Sequence, residues 1–169
     1  MKNIVLTGFM GTGKTEVGRE LSSLLGWRLV DVDEEIVKAE GMSINEIFSR
    51  FGEPRFREIE TEAIRRICAS RSVIISTGGG AVLRQENMDM LREGGVIVNL
   101  SATAGTILRR TSGTAERPLL RVENPLEKIR ELLELRRPFY EKADITIDTE
   151  SWTPREIAEE ILGRMGWKK

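Results

Sequence analysis

The octapeptide GFMGTGKT, residues 8–15, constrains the fold more than any other stretch of this chain. Gly8, Gly13, Lys14 and Thr15 stand at the spacing of a P-loop, in which backbone N–H groups of a tight turn converge on anionic oxygens. Glycine suits such a turn because a Cβ would block the approach of backbone to phosphate. The loop follows KNIVLT, a β-branched run that reads as a buried strand. It precedes TEVGRELSSLLG, where Val17, Leu21, Leu24 and Leu25 recur at helical spacing before Gly26 ends the element. Strand, glycine loop and helix, in that order, are what a phosphate cradle of this kind requires.

Four more segments read as strands: RLVDVD, SVIIST, GVIVNL and DITID, separated by helical patterns. Short apolar runs alternating with helices argue for an α/β fold with three layers, its parallel sheet of five strands covered on both faces. No repeat, low-complexity tract or composition break marks a linker, so residues 1–169 read as a single domain. Local signals place helix starts. Ser43 and Glu46 in SINE form a capping box, Pro54 suits a first helical turn, and Thr153 caps a closing helix opened by Pro154. The stretch SGTAERPLLRVEN is long for a structureless connection, and its arginines suggest a mobile lid over about residues 112–124.

Composition excludes several classes. The net charge is -1, with no basic excess of the kind nucleic-acid binding requires. One cysteine and no histidine rule out an internal disulfide and the multi-ligand zinc patterns, and leave Asp or Glu as the general base near neutral pH. Cys68, beside Ile67 on a helical pattern, reads as a small core residue. No apolar run approaches a membrane span, and the first strand begins almost at Met1, leaving no room for a leader peptide. The expectation is a soluble protein of a reducing, cytoplasmic compartment. The balanced charge leans towards a monomer.

The rest of the chain must say what the phosphate cradle serves. Neither the guanine-reading Asn-Lys-x-Asp nor an Asp-x-x-Gly switch is present, which weighs against a GTPase switch. Asp31 and Asp33 close RLVDVD; two apart on a strand they would point to one side, at the carboxyl end of the sheet where open α/β folds bind ligands. The alternative is a pair of aspartates capping the next helix. SVIIST ends in TGGG with no acid to support Mg²⁺, Ser76 standing in that neighbourhood, so Asp31 is the natural substitute. Gly78, Gly79 and Gly80 form either a plain turn or a surface against which a ligand lies flat.

In LEKIRELLELRRPFY the apolar face is Leu126, Ile129, Leu132, Leu133 and Tyr140, and Arg136 projects into its middle. A guanidinium there is costly unless it is paired or faces a polar cavity. Pro138 requires the helix to bend or end at this point. Arg57 has Glu53 four residues before it and Glu60 three after, by itself an ordinary helix pair.

As a set, GFMGTGKT, DVD, GEPRFREIE, STGGG, RRTSGTAERPLL and RRPFYEKAD resemble the shikimate kinase family, in its order and spacing and over nearly the whole chain. The resemblance implies a nucleoside-monophosphate-kinase-like fold with strand order 2-3-1-4-5 and ATP-dependent phosphorylation of the 3-hydroxyl of shikimate. It implies a substrate-binding helical region over about residues 33–60. Asp33, Arg57, Gly79, Gly80 and Arg136 match positions that hold shikimate, with Asp33 on its hydroxyls and the two arginines on its carboxylate. Phe48 and Phe56 match positions flanking the ring, and Glu60 one that supports the arginine. Gly11, Thr12, Gly13, Lys14, Thr15 and Glu16 fall in the nucleotide-phosphate loop. Thr15 looks like the direct ligand of Mg²⁺, and Asp31 one that reaches it through water. Arg110 resembles the residue lying on adenine, Pro154 falls near the matching adenine loop, and Arg117 resembles the lid arginine over the transferring phosphoryl group. Asp33, Lys14 and Arg117 are thus the expected catalytic residues.

Two guanidinium forks near phenylalanines suit a small ringed acid, since the fork matches carboxylate geometry. One departure stands out: Glu16 follows Gly-Lys-Thr, where the family usually carries a second small hydroxyl residue. An acid there suits the helix dipole but would repel an α-phosphate. A P-loop kinase of another hydroxylated metabolite, such as gluconate, is the alternative reading.

Overall fold

Alternation along the central strands decides how the sheet is covered. The computed structural model describes residues 2–113 and 122–167. In β1 (Asn3–Thr7), Ile4 and Leu6 point to one face and Val5 to the other. The same split recurs in β3 (Val73–Ser76) and β4 (Gly95–Ser101), where Ile74, Val98 and Leu100 join the first set and Ile75 and Ile97 the second. With β2 (Arg28–Asp31) and β5 (Ile145–Asp148) they form a parallel sheet in the order β2-β3-β1-β4-β5, as the sequence leads one to expect.

Helices α1 (Lys14–Leu25) and α7 (Pro154–Arg164) cover the first face, burying Val17, Leu21, Ile157 and Ile161. The second face is covered by α3 (Ile44–Cys68), α4 (Gln85–Gly94), α5 (Ala104–Thr111) and α6 (Pro125–Tyr140), through Ile64, Met88, Leu91, Ile107 and Ile129. Both faces carry a buried apolar cluster, so the sheet is held between two hydrophobic layers. Cys68 ends α3 half-buried against the second core.

Two boundaries differ from expectation in instructive ways, and a third holds. RLVDVD does not run as a strand to Asp33: β2 stops at Asp31, and α2 (Val32–Glu40) begins at once. The Asp31 carboxylate accepts the backbone N–H groups of Asp33, at 2.9 Å, and Glu34, at 3.2 Å. An aspartate satisfying two orphan donors of a first turn stabilises a helix start strongly enough to end the strand. Pro138 does not stop α6, which continues two residues to Tyr140, because the proline lies in the last turn where little ladder remains to lose. Pro54 does follow a break: Gly52, at φ 79° and ψ 169°, kinks the long α3 just before it. The caps on Ser43 and Thr153 form as expected, each with its reciprocal glutamate.

Because the connection after β1 runs to β2 on one side of it, while that after β3 runs to β4 on the other, the loop after β1 lies at the point where strand order reverses. Ligands of open α/β sheets bind in that crevice, beyond the carboxyl ends of the strands.

Candidate active site

A cleft of about 1160 Å³ opens at that crevice. Its floor is the loop Gly8–Gly13, running into α1 at Lys14. Gly8 has φ 140°, and a Cβ there would collide with the backbone carbonyl of Leu100 and lie 2.9 Å from Thr12 Oγ1, so only glycine lets the loop pass this close to β4. Thr12 Oγ1 donates to the Phe9 carbonyl at 2.8 Å. Lys14 Nζ donates to the carbonyls of Gly8 and Phe9, at 2.8 and 2.9 Å, which curls the ammonium over the loop.

One wall is the turn Gly78–Gly80 after β3, and four charged side chains converge on it. A Cβ at Gly78 would lie 3.1 Å from Glu60 Oε2 and 3.3 Å from Asp33 Oδ1. At Gly79 it would lie 3.3 Å from Arg136 Nη1, and at Gly80 2.7 Å from Arg57 Cζ. The three glycines therefore bring backbone and charge together without intervening side chains.

Each charged group has a distinct set of neighbours. Arg57 pairs with the fully buried Glu60 at 2.8 Å, reaches Glu53 at 3.3 Å, and lies 5.1 Å from the Phe56 ring centroid. Phe56 in turn packs on Phe48, with ring centroids 4.6 Å apart. Arg136 is 6% exposed and lies 5.4 Å from the Phe9 ring. Among the described residues, no carboxylate forms an ion pair with it. Asp33 Oδ1 and Glu60 Oε2 are buried without a hydrogen-bond partner. Burial, reinforced by the charges of Asp31 and Glu60, raises Asp33 from 3.8 to about 6, against the opposing pull of Lys14 and Arg57. Burial likewise pushes the Glu60 carboxyl up, with Arg57 working against it.

The far end of the cleft is built by α5 and the segment before α7. Arg110 Nη1 donates to the Gly11 carbonyl at 3.3 Å and to Thr149 Oγ1 at 3.1 Å, while Nη2 reaches the Thr149 carbonyl at 3.2 Å. Pro154 and the half-exposed Trp152 line the same end.

Comparison of the whole chain with known proteins shows its family. A family model described as shikimate kinase matches residues 10–166. The chain belongs to the shikimate kinase family. A shikimate kinase of Thermodesulfovibrio yellowstonii is 58% identical over 162 residues, covering 96% of this chain and 94% of the relative. The solved shikimate kinase from Acinetobacter baumannii, in complex with shikimate, superposes with a TM-score of 0.94 at 40% identity, covering 98% of this chain and 93% of that one. The shikimate kinase from Aquifex aeolicus gives 0.82 at 37% identity, covering 97% and 96%. A gluconokinase from Sinorhizobium meliloti reaches 0.63 at only 22% identity, a likeness of fold alone.

Within the shikimate kinase fold, the residues singled out from the sequence fall on one cleft. Lys14, Thr15, Glu16, Asp31, Asp33, Phe48, Phe56, Arg57, Glu60, Gly79, Gly80, Arg110, Arg136 and Pro154 all line it. Asp33 reaches it from the first turn of α2 and not from a strand. Arg117 and residues 114–121 of the expected lid lie outside the described residues. Sequence reasoning missed Thr149, which anchors Arg110, and Trp152; the only signal for either was adjacency to the Thr153–Pro154 helix start. Among the described residues, no group of three or more acidic, Cys or His side chains is arranged to hold a metal, and no helix is long and apolar enough to cross a membrane.

Proposed function

We propose that this chain transfers the γ-phosphoryl group of ATP to the 3-hydroxyl of shikimate, giving shikimate 3-phosphate and ADP. The observation that carries the reading is Arg136, a buried guanidinium that faces the same glycine turn as Arg57 and Asp33 and has no carboxylate within ion-pair distance among the described residues, Glu60 acting on it only from farther off. A charge so placed is costly until an anion arrives. A second guanidinium and an unpartnered carboxylate oxygen across the turn suit a substrate with a carboxylate at one side and hydroxyls at the other. Each charge-assisted bond to such an acid contributes about 1.5 to 3 kcal/mol.

In this reading Asp33 accepts the proton of the attacking hydroxyl, whose oxygen forms the new bond to phosphorus as the bond to the β-phosphate oxygen breaks and ADP leaves. Its raised pKa fits a base working near neutrality. Arg57 and Arg136 hold the carboxylate, Glu60 orients Arg57, and Phe48 and Phe56 flank the ring. The loop Gly11–Thr15 with Glu16 cradles the nucleotide phosphates, Lys14 supplies positive charge there, and Arg110 and Pro154 receive the adenine. Thr15 and Asp31 suit Mg²⁺: both line the cleft and offer the oxygen donors that this hard ion takes. When bound, Mg²⁺ supplies charge neutralisation on the phosphates. Arg117 is assigned to the lid over the transferring group. The chain acts as one domain in the cytoplasm, and the balanced charge favours a monomer.

The test is a coupled assay of ADP formation with shikimate, with gluconate and with no acceptor. ADP release that requires shikimate, with phosphorus NMR showing shikimate 3-phosphate, is expected. Equal turnover with gluconate, or none with shikimate, overturns the reading.

A further inference from the structure

The last residue of α6 occupies an unusual place for a tyrosine. Tyr140 is 7% exposed and packs in the second apolar core, yet its hydroxyl donates to the Gly79 carbonyl at 2.7 Å. That carbonyl belongs to the turn on which Asp33, Arg57 and Arg136 converge. Arg136 stands one helical turn before Tyr140, so the two side chains project from the same face of α6. The Arg136 guanidinium in turn lies against the turn, its Nη1 3.3 Å from where a Cβ on Gly79 would be. Gly79 is thus gripped from one helix at two adjacent points, by a hydroxyl on its carbonyl and a guanidinium over its Cα. Burial holds the phenol above its ordinary range, with Arg136 and Arg57 opposing, so the hydroxyl keeps the proton it donates.

From this geometry we infer that Tyr140 is a positioning residue for substrate: its hydroxyl fixes the separation between the glycine turn and Arg136, and so the angle at which the guanidinium meets the carboxylate. Arg136 has no ion pair to orient it among the described residues, and its long side chain needs an external reference. The Phe9 ring supplies a surface beneath it but no direction within that plane. The Tyr140 hydroxyl supplies the direction: it meets the Arg136 guanidinium directly and donates to the Gly79 carbonyl, so it fixes both the guanidinium and the turn against the helix that carries Arg136. The inference rests on the shikimate reading and deepens it.

The experiment is Tyr140→Phe, which keeps the ring packing and deletes one oxygen. KM for shikimate should rise about tenfold, with kcat and KM for ATP within about twofold of the parent and the melting temperature little changed. Combining it with Arg136→Ala closes a cycle. If Tyr140 acts through Arg136, the second change adds less than about twofold to the KM of the Arg136→Ala variant. A shikimate ester lacking the anionic carboxylate should bind parent and Tyr140→Phe equally. An unchanged KM in Tyr140→Phe, or full additivity with Arg136→Ala, overturns the inference while leaving shikimate phosphorylation by the parent intact. Absence of shikimate turnover in the parent removes the underlying reading instead. Should Tyr140→Phe fold poorly, the ¹³C shift of the Gly79 carbonyl in the parent and in enzyme carrying 3-fluorotyrosine at position 140, whose hydroxyl is a stronger donor, reports the same bond, and an unchanged shift counts against it.

Discussion

The guanidinium of Arg57 covers Gly80 so closely that a Cβ on that glycine would lie 2.7 Å from Cζ. Arg57 is the far end of a flexible side chain, so Gly80→Ala would displace the guanidinium and leave the backbone turn in place. The expected result is a folded enzyme whose KM for shikimate rises about tenfold or more, with KM for ATP unchanged. Steady-state kinetics with each substrate varied decides it; a parallel loss of ATP affinity would mean that the turn itself had collapsed.

Asp33 joins burial to two neighbouring carboxylates, and its pKa of about 6 has consequences for both rate and stability. As a base it must be ionised, so kcat/KM should fall on acidification through about pH 6 and not near pH 4. Asp33→Asn should lower kcat by about 10²- to 10⁴-fold while ATP still binds. The folded pKa lies above the unfolded 3.8, so the stability associated with this group is complete below that value and lost as pH rises through about 6. Asp33→Asn should therefore be more stable than the parent by about 1 to 3 kcal/mol at pH 8, an advantage that vanishes near pH 4. Urea titrations at the two pH values provide the check, and equal stability at both would show that the charge is compensated.

Arg136 meets its substrate from an apolar helix face, so its removal should be felt in binding more than in chemistry. Arg136→Ala is expected to raise KM for shikimate about 10- to 150-fold. Arg136→Lys should recover only part of that, because a point charge cannot match a carboxylate at two oxygens. An unchanged KM in the alanine variant would refute carboxylate binding at this position.

What could be read from the sequence was whatever depends on neighbours along the chain. The P-loop, the five apolar runs and the Ser43 and Thr153 caps are local patterns, and each forms, though the second run ends as a strand at Asp31. Arg136 was legible because a cation within an apolar stripe is a local contradiction. The place of Asp33 was not. Whether β2 runs on through Asp33 or stops at Asp31 turns on one side chain accepting two N–H groups, a competition that spacing leaves open. Nor could the sequence show that Gly80 lies beneath Arg57, 23 residues away, or that Trp152 joins the same cleft as Gly11. Those contacts arise only when the sheet order brings the loops after β1, β3 and β5 to one end.

Glu16 departs from the usual small hydroxyl residue, and its surroundings set how much that matters. It lines the cleft but pairs with Arg19 at 3.1 Å, both side chains more than half exposed. Repulsion of a phosphate is therefore screened by solvent and offset by the arginine. Glu16→Thr should change KM for ATP by less than about threefold at ordinary ionic strength. A tenfold gain in ATP affinity would show that the glutamate faces the nucleotide directly.

Trp152 offers a reporter for the nucleotide end of the cleft. It is 44% exposed there, beside Pro154 and the Arg110–Thr149 anchor. The other two tryptophans, Trp27 and Trp167, pack edge to face at 5.4 Å beside the core under α1 and α7. Adenine docking against Arg110 would change the solvent exposure of the Trp152 indole and leave the other pair untouched. Adding ADP should therefore alter the intrinsic fluorescence, shikimate alone should not, and Trp152→Phe should abolish the ADP signal. If the indole also packs on the base, KM for ATP in Trp152→Ala should rise about 2- to 12-fold, the range expected of one aromatic contact. An ADP-induced change that survives in Trp152→Phe would place the adenine elsewhere.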